Sequence, residues 1–332
     1  MTKQDVKEED IILLHVIFVN GQKTPEVSMY YPNDPYVNHL FYPYGRGELT
    51  NVGKVKIFRA AQEIRQTYNK FLGEIYSPSL IEARSGNSNR EKMSMQVFLA
   101  GIFPPKPSQR ILPDVNWQPI PYISEEISND QVLGALKYKK YIHHLNKIIQ
   151  KQNYSNLLET FEYISQNSGS NVDNIHAAVE VLSILDTEKQ LDLDLSKWTD
   201  KLLPKYHEIV SSFYKLLVLD DSLRAIAPGQ LLKNIIDTTQ IKIKKNNNLK
   251  INVYSGNEFN LATVQIVLDI YKDKVPSYGS YLVLEIIKEK DNHFIKILFQ
   301  DYSTGKLKTL KLPWCDILCP FNKFVQFINK TM

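Results

Sequence analysis

Two short stretches concentrate polar side chains that bear on chemistry: Val19-Asn20-Gly21-Gln22-Lys23-Thr24-Pro25 and Ser255-Gly256-Asn257-Glu258. Together they offer one carboxylate (Glu258), one ammonium (Lys23) and three primary amides, of which Asn20 and Asn257 are the candidates. An amide nitrogen is no usable nucleophile, because its lone pair is delocalised into the carbonyl. Amides do supply donors and acceptors without charge, and a carboxylate flanked by them suits an ammonium group. Tyr30, Trp117 and Trp198 are candidate aromatic walls that could stack an indole or imidazole ring and contact a cation. The competing role for the two tryptophans is ordinary core packing, and for Glu258 a pairing with a nearby backbone amide. The histidines suggest no alternative nucleophile. His15 lies inside an apolar run and reads as a core residue, while His143 and His144 are adjacent on an expected helix and point apart. His39, His176, His207 and His293 fall in no constellation. There is no Gly-rich phosphate loop ending in Lys-Ser/Thr and no Cys/His cluster with zinc spacing, so no metal or cofactor is implied.

Both stretches follow expected strands. Ile11–Val19 is a continuous apolar run ending at Asn20-Gly21, as for a strand buried on both faces. A helix is expected over 51–72, with Thr50 as cap, Val55, Phe58, Ala61, Ile64, Tyr68 and Phe71 as its apolar stripe, and Gly73 closing it. Residues 91–105 read as a second helix stopped by paired prolines. Residues 108–219 are rich in helical pattern, clearest over 131–152 and 198–220. Strand patterns return at 250–255, 280–289 and 293–301, with one helix over 260–272. This order predicts an α/β fold: a mixed sheet flanked by helices, built from 1–107 and 220–332, with 108–219 as a smaller, mainly helical insertion or cap domain. In open α/β sheets, ligands bind beyond the carboxyl ends of the strands, which is where both polar stretches fall.

The composition sets further bounds. Of 332 residues, 43% are hydrophobic and 23% charged, which places the chain among globular proteins. The 40 basic and 36 acidic residues are dispersed, so the net charge of +4 does not argue for nucleic acid. The densest basic run, Ile241–Ile251, alternates with apolar residues and reads as a solvated strand and turn. No apolar run is long enough to span a bilayer. The N-terminus, MTKQDVKEED, has no apolar segment, so no signal peptide is expected in this chain. Cys315 and Cys319 are close enough to be joined across one local bend, or else are two buried thiols. Sequons at Asn153 and Asn329 add weight to the extracellular side.

Val19–Pro25, with the Met29–Tyr36 stretch after it, resembles the histidine acid phosphatases, whose first motif is Arg-His-Gly-x-Arg-x-Pro. Residues 49–73, 83–105, 116–122, 191–199, 254–260 and 315–320 are similar to further family segments in the same order, so the resemblance spans nearly the whole chain. It implies the histidine-phosphatase-like fold. In the family the motif histidine attacks phosphorus; Asn20 stands there, Val19 replaces the first Arg and Lys23 the second. A later His-Asp pair binds phosphate and protonates the leaving alcohol, and here it is Asn257-Glu258. Arg84 matches a phosphate-binding Arg of the family. The resemblance therefore implies a member without phosphatase activity, since loss of the nucleophile forfeits most of the rate enhancement. It narrows towards the salivary acid-phosphatase-like proteins of blood-feeding fleas, a group associated with secreted capture of biogenic amines and leukotrienes. On that footing Asn20, Lys23, Arg84, Asn257 and Glu258 are expected to bind ligand, with Glu258 taking an amine such as serotonin. Lys23 and Arg84 would take the anionic end of a cysteinyl leukotriene. Weak residual phosphatase activity is the alternative expectation.

Overall fold

The computed structural model describes residues 10–26 and 29–332. The N-terminal stretch that argues against a signal peptide lies outside them, apart from Asp10.

Strand β1 (Ile11–Val19) is the heart of the sheet, with only Ile12 partly exposed. Parallel strands flank it on one side: β4 (Ile251–Gly256), then β2 (Ile81–Ser85), then the short edge β3 (Ile123–Ser124). On the other side the chain runs antiparallel through β5 (Tyr281–Glu289), β6 (Asn292–Gln300) and β7 (Leu307–Leu310), with β8 (Cys319–Pro320) also on β6. The sheet is therefore mixed and the fold α/β, as its sequence implies. Edge strand β3 shows that the sheet extends into the 108–219 stretch.

Strand periodicity explains the two layers over the sheet. Leu14, Val16 and Phe18 of β1 face one way and pack with Ile57, Ala61 and Ile64 of α1 (Asn51–Thr67) and with Met95 and Phe98 of α3 (Asn89–Ile102). The single turn α2 (Asn69–Leu72) follows α1. Leu13, Ile17 and Val19 face the other way, against α9 (Gly229–Lys245), α10 (Glu258–Val267) and α11 (Phe321–Thr331). His15 points to that second side; it is fully buried, and its Nε2 meets Thr239 Oγ1 at 2.8 Å. A core role for His15 fits this placement. The helices α4 (Lys139–Lys151), α5 (Leu158–Ser168), α6 (Ile175–Gln190) and α7 (Tyr206–Leu216) share one further apolar cluster, which reaches Ala262 of α10. The short α8 (Asp221–Ile226) leads from them back to the sheet.

Several local expectations need correction. The buried face of α1 is Ile57, Ala60, Ala61 and Ile64, so Val55 and Phe58 lie on its exposed side. Both rotations of the stripe satisfy helical spacing, and packing against α3 selects one. Helix α4 begins only at Lys139, after a single 3-10 turn, and Pro204 delays α7 to Tyr206. Ile241–Lys245 form the last turns of α9 rather than a strand, ending at Asn246 in the left-handed region. Cys315 and Cys319 are disulfide-bonded, closing the bend before β8 and α11.

Candidate ligand-binding cleft

The carboxyl ends of three parallel strands lie level: Val19 pairs with Gly256, and Ser85 with Ser255. The loops that leave them are tied together, Asn20 N–H donating to Gly256 O and Gly86 N–H to Ser255 O, both at 2.9 Å. Gly21 is forced by proximity, because a Cβ there would lie 2.6 Å from the carbonyl oxygen of Gly53 in the first turn of α1. Between these loops and helices α6 and α7 opens a cavity of about 410 Å³. A smaller one of about 70 Å³ adjoins it, and Lys23, Ser183, Thr187 and Glu258 line both. The pair makes one cleft with two compartments.

The cleft separates its charges. Lys23 Nζ lies 3.1 Å from Glu26 Oε1, and Arg90 Nη1 lies 3.0 Å from the same oxygen. Both cations of the smaller compartment are thus tied to one carboxylate. Burial alone would raise the pKa of Glu26, but Lys23 and Arg90 outweigh it and hold it below its ordinary value. Glu258 is held by no ion pair among the described residues, although its charge is felt by Arg90 after those of Glu26 and Glu91. It is the first residue of α10, at the positive end of the helix dipole, and it makes no hydrogen bond or ion pair with the described residues. Around it are the buried phenols Tyr206 and Tyr278, whose hydroxyl pKa values are raised by burial and then by neighbouring carboxylates, Glu258 among them. A third cleft carboxylate, Asp186 of α6, accepts from Gln190 Nε2 at 2.5 Å and lies against the Tyr206 hydroxyl. Burial raises its pKa. Lys56, Lys189, Lys274 and His207 complete the wall of the larger compartment.

The residues expected from sequence divide into two groups. Lys23, Asn257 and Glu258 line the cleft. Asn257 is engaged as the cap of α10, accepting from Phe259 N–H and Asn260 N–H, and its Nδ2 donates to Glu91 Oε1 at 3.4 Å. Asn20 is fully buried beneath the loops; its Nδ2 donates to Gly21 O at 2.9 Å and its Oδ1 receives no hydrogen bond from the described residues. Arg84 lines neither compartment. It sits within β2 and turns towards the β3 side, pairing with Glu125 at 3.2 Å and Asp130 at 3.7 Å. Arg90, six residues later in the first turn of α3, is the arginine that reaches the cleft. The aromatic walls also differ from expectation. Tyr30 and Trp117 are 59% and 46% exposed, and Trp198 packs edge-on against Tyr31 at 6.0 Å between ring centres. The rings that line the cleft are Tyr206, Tyr278 and Phe259. Arg90 had a local signal, a Ser-x-x-Glu box that starts a helix beside a strand end. Asp186, Tyr206 and Tyr278 had none, since only tertiary packing brings α6 and α7 over the sheet.

Residues 1–300 match the family described as the histidine phosphatase superfamily (branch 2). The chain belongs to this superfamily. Among curated members of acid phosphatase type, it is 29% identical to the venom acid phosphatase Acph-1 of Apis mellifera over 330 residues, covering 96% of this chain and 84% of that one. It is 25% identical to the prostatic acid phosphatase of Homo sapiens, covering 98% and 86%. The phytase of Citrobacter braakii shares the fold, with a TM-score of 0.68 at 14% identity over 97% of this chain and 98% of that one.

In this histidine phosphatase superfamily chain the cleft offers three carboxylates (Glu26, Asp186 and Glu258), phenol rings, lysines and Arg90, with a buried amide at the strand end. His207 is the cleft histidine. Its Nδ1 accepts from Val275 N–H at 3.3 Å, so the neutral ring carries its proton on Nε2, which is then no nucleophile. Burial first, then Lys274, lowers its pKa and favours that neutral ring. Among the described residues, no group of three or more His, Cys, Asp or Glu could hold a metal. The arrangement is equipped to bind through charge and ring contacts.

Proposed function

We propose that this chain is a secreted, non-catalytic member of the superfamily that captures biogenic amines such as serotonin in the cleft. One observation carries the reading: among the described residues Glu258 faces the cavity with no hydrogen bond or ion pair, while Glu26 is the carboxylate that pairs with the neighbouring cations Lys23 and Arg90. An ammonium group would give Glu258 a direct counter-charge, which Arg90, paired with Glu26, supplies only from further off. It would sit against Glu258, with Asp186 in reach, and the attached ring would lie against Tyr206 and Tyr278. The larger compartment is of the size that holds small ligands. Lack of turnover follows from Asn20, a buried amide where the family has its nucleophile. Secretion is supported by the disulfide, which persists in oxidising compartments, and by relatives named for venom and prostate.

Isothermal titration with serotonin tests the reading. A one-to-one isotherm with sub-micromolar Kd, about −8 kcal/mol or better, is the expected result, together with no hydrolysis of a chromogenic phosphomonoester. Absence of heat would remove serotonin capture; hydrolysis abolished by Arg90→Ala would favour a weak acid phosphatase instead. A second ligand class has its own support in Lys56, Lys189 and Lys274, which line the larger compartment and suit the carboxylates of a cysteinyl leukotriene.

A further inference from the structure

Two sequons, Asn153-Tyr154-Ser155 and Asn329-Lys330-Thr331, carry the same acceptor pattern but lie in different structure. Asn153 is exposed, just past the end of α4 in the link to α5. Its Oδ1 accepts from Ser155 N–H at 2.9 Å, a turn that folds the third sequon residue back over the amide. Neither Asn153 Nδ2 nor the Ser155 hydroxyl has a hydrogen-bond partner among the described residues. The central Tyr154 anchors this turn, its hydroxyl donating to Ile149 O at 2.9 Å and its ring lying 5.5 Å from Phe161. The acceptor is thus presented outward on a fixed turn.

Asn329 is also exposed, but it lies in the last turn of α11. Residues two apart on a helix do not face each other, so the Thr331 hydroxyl cannot approach the Asn329 amide. That hydroxyl already donates to Phe327 O at 2.8 Å, and Thr331 O accepts from Arg224 Nε at 2.9 Å. Phe324 and Ile328 hold the helix in the core, which opposes its unwinding.

We propose that Asn153 carries an N-linked oligosaccharide and that Asn329 does not. The proposal rests on the secreted reading above. In the transfer, Asn153 Nδ2 forms a bond to C1 of the sugar of a lipid-pyrophosphate-linked oligosaccharide. The bond from C1 to the pyrophosphate oxygen breaks, the lipid pyrophosphate leaves, and the transferase takes the proton lost from Nδ2. Asn153 lines neither compartment of the cleft, so the glycan leaves ligand capture unchanged.

The test is to secrete the full chain from insect cells behind a cleavable leader, release glycans with peptide-N-glycosidase, and map the peptides by mass spectrometry. Because the leader supplies access to the secretory compartment, the result reads the sequons and not the chain's own route. The expected result is conversion of Asn153 to Asp on release, a single unmodified species for Asn153→Gln, and an unchanged glycan for Asn329→Gln. An unmodified Asn153, or a glycan on Asn329, would overturn the proposal.

Discussion

At the scale of residues, the cleft is decided by which charges already have partners. Glu26 engages Lys23 and Arg90, and Glu258 is left facing the cavity. Glu258→Gln keeps shape and removes the charge. A hydrogen bond to a charged group contributes about 1.5–3 kcal/mol, so serotonin affinity is expected to fall roughly 10- to 100-fold in calorimetry. Arg84→Ala is the contrasting variant. It lies outside the cleft, so Kd should stay within about twofold, while thermal unfolding occurs at lower temperature because buried Asp130 loses its cation. Equal losses in the two variants would contradict this placement of the ligand. That Lys23, Asn257 and Glu258 lie at the cleft could be read from sequence because they sit in the loops that leave strands whose apolar runs are unmistakable. Arg84 misled because two arginines lie six apart in one segment, and only the direction of β2 against the first turn of α3 separates them. Asp186, Tyr206 and Tyr278 were illegible, since the pattern of a helix reports its own packing face and not which neighbour its ends will cover.

At the scale of elements, the link between the loop after β1 and the carboxyl end of α6 contains a buried acid pair. Asp34 and Glu188 are both buried and lie close enough to feel each other's charge, and among the described residues neither Glu188 oxygen nor Asp34 Oδ2 receives a hydrogen bond. Neither forms an ion pair among the described residues, and Arg46 is the cation felt nearby. Burial first, then Asp34, pushes the pKa of Glu188 up to about 8 from an ordinary 4.5. Between those values the folded chain keeps a proton that the unfolded chain releases. Stability from this pair is therefore full at acid pH and declines as pH rises towards 8. His15 works in the opposite sense: burial lowers its pKa to about 3 from 6.5, so its contribution is lost as pH falls below 6.5. Between pH 6.5 and 8 the melting temperature should fall in the wild-type chain, and Glu188→Gln should flatten that fall. An identical slope in both would show that the pair does not share a proton. Asp186, Thr187, Lys189 and Gln190 of this same helix end line the cleft, so the pair also fixes the position of the site.

At the scale of the whole molecule, the cleft exists because three parallel strands end level and a helical layer closes over them. The strand-helix alternation around a helical block was enough to read that architecture, and the sheet β3-β2-β4-β1-β5-β6-β7 realises it. The chain thus keeps the framework of a histidine phosphatase superfamily member, and the proposed reading assigns the polar groups at its strand ends to ligand capture. A crystal structure with serotonin tests this claim most directly. The account predicts one ligand in the larger compartment, its ammonium about 3 Å from a Glu258 carboxylate oxygen and its indole against Tyr206 and Tyr278. Serotonin seated away from Glu258, or an empty cleft at saturating ligand, would contradict it.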